Sequence, residues 1–174
     1  MKRNTRQITL YTSRGALIAA LYVVLTMVAT MVGLSSGVIQ FRISEALCIL
    51  PIFFPEAVPG LFIGCLISNL MVPGVAIWDV IFGSLATLLG ALGAYYLRRR
   101  LTKKTIWIAT IPTILANMII IPPVLILAYG VTDAYFFLVG TIALGEIVCA
   151  GIGGTVLYNL LKAAKIKKIF NNMK

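Results

Sequence analysis

ISEALCILPIFFP, residues 43–55, decides how many times this chain crosses a membrane. It lies between Arg42 and Glu56, and its apolar centre runs only from Ala46 to Pro55. A straight helix needs about 20 apolar residues to cover about 30 Å of hydrocarbon, so the segment is too short for a plain span. Begun near Ile43, it is long enough for a tilted or broken crossing.

Working outward, charges mark the ends of longer apolar runs. Residues 15–41, 57–78, 80–97 and 105–132 carry none, and 134–161 carries only Glu146. Each holds a helix of membrane-spanning length. Orientation then tests the count. Lys2, Arg3, Arg6 and Arg14 precede the first span; Arg98, Arg99, Arg100, Lys103 and Lys104 follow the fourth; Lys162, Lys165, Lys167, Lys168 and Lys174 follow the last. These clusters hold all but one of the 15 cations. They share one side only if 43–55 crosses, and the positive-inside rule makes that side the cytoplasm. The expectation is an all-α, integral membrane bundle of six transmembrane helices with both termini cytoplasmic. It forms one domain over residues 1–174, in the plasma membrane.

Composition agrees. The chain is 60% hydrophobic and 11% charged, with mean hydropathy +1.02, whereas soluble domains are about 25% charged. The net charge of +10 does not point to nucleic acid, because the cations sit between apolar runs as a topology signal. The first apolar run is longer than a signal-peptide core and no small-residue cleavage site follows it, so no cleavable leader is expected. Cys48, Cys65 and Cys149 are isolated in apolar surroundings, and histidine is absent. They read as small buried hydrophobes, with no metal site and no cofactor. There is no GxxxxGK[ST] phosphate loop and no HExxH, so no enzymatic activity is expected of this chain.

Small residues recur four apart: Gly15 with Ala19, Ala16 with Ala20, Gly60–Gly64–Ser68, and Ala86–Gly90–Ala94. Such rows let helices approach closely in lipid; packing inside the bundle and docking against another membrane protein both fit. Pro51, Pro55 and Pro59 recur across the second span and its turn, and Pro122 and Pro123 sit in the fifth. Prolines of this kind bend helices, either for packing alone or at the edge of a cavity.

Charged and amide groups inside lipid are functional candidates by default. Of the five acids, Glu56 reads as interfacial and Asp133 as a helix cap. Glu45, Asp79 and Glu146 remain, with Asn69 and Asn117. Arg42, on the outer side beside Glu45, is either an interfacial arginine paired with Glu45 or a ligand-facing charge. Threading six helices brings Arg42, Glu45, Asn69, Asp79 and Glu146 toward the outer half of one bundle. Phe41, Trp78, Tyr129, Tyr135 and Phe136 lie near; for Trp78, membrane belt and ligand stacking are equally open. Together these groups resemble a pocket for a planar, hydrogen-bonding small molecule.

The stretches FRISEALCILP (41–51), PGLFIGCLISNL (59–70), WDVIFGSLATLLGA (78–91) and LGEIVCAG (144–151) resemble the QueT family of substrate-binding S components of energy-coupling factor (ECF) transporters. The resemblance covers nearly the whole chain. It implies a six-helix S component that captures a queuosine precursor, a 7-deazaguanine with an aminomethyl or nitrile substituent, at the outer face. It further implies a transmembrane T component and two ABC-type ATPases as partners, which puts ATP hydrolysis on other chains. Ala16 and Ala20 match the Ala-xxx-Ala pattern that S components present to the T component. The ligand's guanine-type edge suits a carboxylate, and its carbonyl a donor such as Arg42, Asn69 or Asn117. An aminomethyl cation suits a second carboxylate, and Trp78 offers a stacking face. Glu45, Asp79 and Glu146 are expected to divide these roles. The alternative is a stand-alone proton-coupled carrier of a small planar solute using Glu146.

Overall fold

A computed structural model describes residues 5–34, 40–102 and 105–164. Within them the chain is entirely helical and runs as six rods. Helix α1 is Thr5–Met31. A tightly wound 3-10 helix follows at Ile43–Ile52, then α2 at Ala57–Met71 and α3 at Ile77–Leu97. A short 3-10 turn, Ile106–Thr110, leads into α4, Ile111–Tyr129. The last rod is continuous but changes winding: α5 at Tyr135–Glu146, a π-helical stretch at Ile147–Gly153, and α6 at Gly154–Ala163. Four rods are long and apolar enough to cross a membrane: Thr5–Met31, Ile77–Leu97, Ile106–Tyr129 and Tyr135–Ala163. The other two are shorter apolar helices packed among them. This is the all-α multi-pass membrane architecture expected from the sequence. Of the cations used to orient it, Lys2, Arg3, Lys103, Lys104, Lys165, Lys167, Lys168 and Lys174 lie outside the described residues.

The doubtful segment is the centre of the molecule. The 3-10 helix packs against α1, α2, α3, the π stretch and α6. Ser44, Glu45, Leu47, Cys48, Ile49, Leu50 and Pro51 are all buried on it. At about 2.0 Å rise per residue, rather than 1.5 Å, ten residues wound this way reach roughly 20 Å. The winding thus recovers length that a ten-residue α-helix lacks. Its position also explains its apolarity, since all of its residues but Ile43, Ala46 and Ile52 are buried.

The small-residue rows set how closely the rods approach. A Cβ on Gly60 would meet the Gly15 carbonyl oxygen at 2.6 Å, and one on Gly64 would meet Tyr22 Cβ at 2.8 Å and the Ala19 oxygen at 2.9 Å. Gly15, Ala19, Gly60 and Gly64 therefore form the seam between α1 and α2. Gly90 and Gly93 do the same for α3 against Thr113 and Pro112 of α4. Ala16 and Ala20 are different: they lie exposed, in an open groove of about 700 Å³ between α1 and α2, with Val24, Pro59 and Ile63 along it. At its end Glu56, expected to be interfacial, is buried and paired with Arg14 at 3.3 Å.

Between α2 and α3 the chain breaks at 72–76, a loop that turns at Gly74 with φ +77°. Asp79 therefore falls in the first turn of α3. Pro122 and Pro123 lie inside α4, which runs on through them to a left-handed cap at Gly130.

Candidate functional site

Hydroxyls at Tyr22, Thr26 and Thr30, four residues apart, line one face of α1. Thr26 Oγ1 bonds Ser44 Oγ at 2.9 Å, tying α1 to the first turn of the 3-10 helix. Tyr22 is buried and donates its hydroxyl to Glu45 Oε1. Thr87 of α3 donates to the same oxygen at 3.1 Å, and Cys48 Sγ donates to Glu45 Oε2 at 3.1 Å. Glu45 is thereby held by donors from three elements, in the heart of the bundle. A buried carboxylate needs such partners, because an unsatisfied polar group costs more than a hydrogen bond returns.

Arg42 stands just ahead of the 3-10 helix and is also buried. Its partner is not Glu45, as one reading of the sequence had it, but Asp79 of α3, with Nη2 to Oδ2 at 3.5 Å. Arg42 caps the helix from outside, with φ −88° and ψ 87°, so its side chain need not follow the helix toward Glu45. Tyr129, at the end of α4, donates to Asp79 Oδ2 at 3.3 Å and accepts from the Ala76 N–H at 3.0 Å. One aromatic hydroxyl thus joins α4 to the start of α3. Asn69 of α2 lies close by, its Nδ2 3.4 Å from the Asp79 carbonyl oxygen. Gly83 keeps the space open: a Cβ there would lie 3.1 Å from Asn69 Nδ2 and 3.5 Å from Arg42 Nη1.

These groups line a cavity of about 290 Å³, to which Arg42, Asn69, Asp79, Tyr129, Thr26 and Thr30 contribute, together with the 72–75 loop. Such a volume is at the lower end of small-molecule sites, about 300–1,000 Å³.

Two further expected residues, Glu146 and Asn117, are buried outside the cavity lining. Glu146 ends α5, directly before the π stretch, and is buried. It does not line the cavity but lies within electrostatic reach of Arg42 and Glu45, and Asn117 of α4 is beside it. Wide π turns inside helices are rare and frequently found at functional sites. Gly145 lets the chain at Gln40 cross directly over α5, where any side chain would strike the Gln40 carbonyl.

Among the described residues, three buried polar atoms around this site make no hydrogen bond of good geometry: Asp79 Oδ1, Asn117 Nδ2 and Glu146 Oε2, although the Asn117 amide stands close enough to Glu146 to act on it as a donor. Native interiors leave few such atoms unsatisfied, so each one calls for an explanation.

The structure thus gathers Arg42, Glu45, Asn69, Asp79, Asn117 and Glu146. It places Trp78 elsewhere, 56% exposed on the outside of α3 and stacked on Phe82. There it borders a shallow apolar groove with Pro123 and Leu127. The sequence reading missed Tyr22, Thr26, Thr30 and Thr87. Their signal was present for α1, as hydroxyls at a strict four-residue spacing.

Comparison with known proteins bears on the whole arrangement. No solved structure matches this chain. It is 32% identical over 164 residues to the "Queuosine precursor transporter QueT" of Lactococcus lactis subsp. cremoris (strain MG1363), an alignment covering 88% of this chain and 93% of that protein. The family model described as QueT transporter matches residues 12–163. That match takes in the central 3-10 helix, the cavity and the buried acids alike, and this multi-pass membrane protein belongs to the QueT transporter family.

Proposed function

We propose that this chain is the substrate-capturing subunit of an energy-coupling factor importer. It takes up a queuosine precursor of the 7-deazaguanine type at the outer half of the bundle and delivers it inward. The observation that carries this reading is the cavity of about 290 Å³ whose wall holds the Arg42–Asp79 pair and Asn69. Charged groups in lipid are costly to keep, and here they surround a space suited to one small polar molecule. The L. lactis relative, by its name, transports a queuosine precursor. A 7-deazaguanine offers a flat body with paired N–H donors and one carbonyl, which carboxylates and amides complement.

Delivery rests on partners, a T component and two ABC ATPases that hydrolyse ATP. The exposed groove holding Ala16 and Ala20 supports this, since small residues on an unpaired face allow a further helix to approach closely. In this reading the whole chain is one six-helix domain with both termini in the cytoplasm, where the ATPases act. The stand-alone carrier remains a second reading, because Glu146 keeps a buried oxygen without a partner; uptake without any ATPase would favour it.

The test is to purify the chain without added ligand and identify what co-purifies by mass spectrometry. A 7-deazaguanine derivative supports the proposal, and a solute of unrelated shape overturns the substrate assignment.

A further inference from the structure

At one end of the bundle Ile52, Ala94, Leu101, Ala109 and Tyr158 pack into one apolar cluster. The end of α3, the start of the fourth rod and the end of the last rod therefore lie together there. Phe53 stacks on Tyr158 at 5.0 Å, which brings Glu56 and its partner Arg14 to the same end. Every described cation except Arg42 stands at this end: Arg6, Arg14, Arg98, Arg99, Arg100 and Lys162. Glu56 is the one acid among them, and it is buried and held by Arg14 at 3.3 Å. Arg98, Arg99 and Arg100 have no carboxylate partner among the described residues.

These three arginines are not a loose charge run. The Arg98 guanidinium lies over the Tyr95 ring, 3.6 Å from its centroid. Stacking takes up the flat face of the group and leaves its in-plane N–H edges open to an acceptor. Arg99 and Arg100 are exposed in the turn that follows α3, which is closed by the Arg100 N–H on the Leu97 carbonyl at 2.8 Å. Further on, the Thr102 N–H donates to Thr105 Oγ1 at 2.9 Å, which ties the connector to the next rod. Tyr96 and Trp107, on the two rods it joins, are 71% and 54% exposed. Tyrosine and tryptophan gather at the level of lipid headgroups, and Leu97 adjoins Arg98 directly. The arginines thus stand at the depth of lipid phosphates.

We propose that the Arg98–Arg100 turn seats the phosphate of an anionic phospholipid, with Arg98, fixed over Tyr95, as its forked donor and Arg99 and Arg100 supplying charge. An arginine fork matches two phosphate oxygens at once. A zwitterionic headgroup brings a cation of its own, which the cations at this end repel. An anionic headgroup brings net negative charge to a surface whose one acid is already taken, and each basic residue there strengthens the contact roughly fivefold. Setting orientation during insertion draws on the same charges, but it requires neither the stacked guanidinium nor any lipid preference in the finished protein.

The test gives the full chain, purified in neutral detergent, equal amounts of phosphatidylglycerol and phosphatidylcholine and counts bound lipid by native mass spectrometry. The parent is expected to favour phosphatidylglycerol by at least about tenfold. Arg99→Gln/Arg100→Gln changes exposed side chains only and should bring the preference within about twofold. Arg98→Lys keeps the charge but loses the planar fork, and should lower the preference at least about threefold. Thermal transitions check that each variant is folded. Excess inorganic phosphate separates a lipid seat from a site for the free ion, and it should leave most of the lipid bound. The proposal falls if the parent shows no preference, if the double variant keeps it, if Arg98→Lys matches the parent, or if phosphate alone strips the lipid. None of these results bears on the proposed function.

Discussion

Arg42 bridges to Asp79, from the start of the 3-10 helix to the first turn of α3, at 3.5 Å. The contact is single and long for a guanidinium–carboxylate pair, and it leaves Asp79 Oδ1 without a partner. Asp79→Asn strands a buried arginine. Removing one member of a buried pair typically costs about 3–5 kcal/mol. A clear fall in the thermal transition of the ligand-free protein in detergent is the expected result, and Asp79→Asn/Arg42→Gln together should recover part of it.

Glu45 is predicted to act through stability more than through the ligand. Its oxygens are occupied by Tyr22, Thr87 and Cys48. In Glu45→Gln an amide N–H must face one of these donors, which costs about 1–3 kcal/mol. Thermal unfolding should register that loss, while ligand affinity in protein that remains folded changes by less than about tenfold. An affinity loss as large as that of Asp79→Asn would place Glu45 on the ligand instead.

The seam between α1 and α2 leaves no room for a methyl group. Gly64→Ala would press on Tyr22 Cβ at 2.8 Å and on the Ala19 oxygen at 2.9 Å. Overpacking of this kind costs about 1–3 kcal/mol. Because Tyr22 also holds Glu45, the same change should loosen the centre of the site. Faster proteolysis and a lower thermal transition are the measurements to make.

Ala16→Leu together with Ala20→Leu fills the exposed groove without touching the interior. Ligand binding should stay within about twofold, since neither residue contributes to the cavity or to a buried hydrogen bond. Co-purification with the T component, and ATP-driven uptake, should be lost. Retained uptake would move the docking face elsewhere.

Much of this fold was legible because lipid writes simple rules into sequence. Charge-free runs located the long rods, and the 43–55 segment was legible as a further helix although its length argued against a plain span. What sequence did not reveal was how that segment would be wound: a 3-10 helix, sheltered at the centre, depends on the walls around it. The site was legible as a set of residue types and less so as a geometry. Trp78 illustrates the limit. Neighbours on an α-helix diverge by about 100°, so once Asp79 turns inward, Trp78 faces out toward lipid. Trp78→Phe should accordingly leave ligand affinity within about twofold. Arg42 illustrates another limit, since its partner is distant in sequence and Glu45, three residues on, belongs to a different network.

The most direct measurement is calorimetric binding of 7-aminomethyl-7-deazaguanine to the purified chain and to Asp79→Asn. A site built on the Arg42–Asp79 pair predicts one molecule bound per chain, with affinity at least about tenfold weaker in the variant. No binding to the parent, or equal affinity in the two, would contradict it.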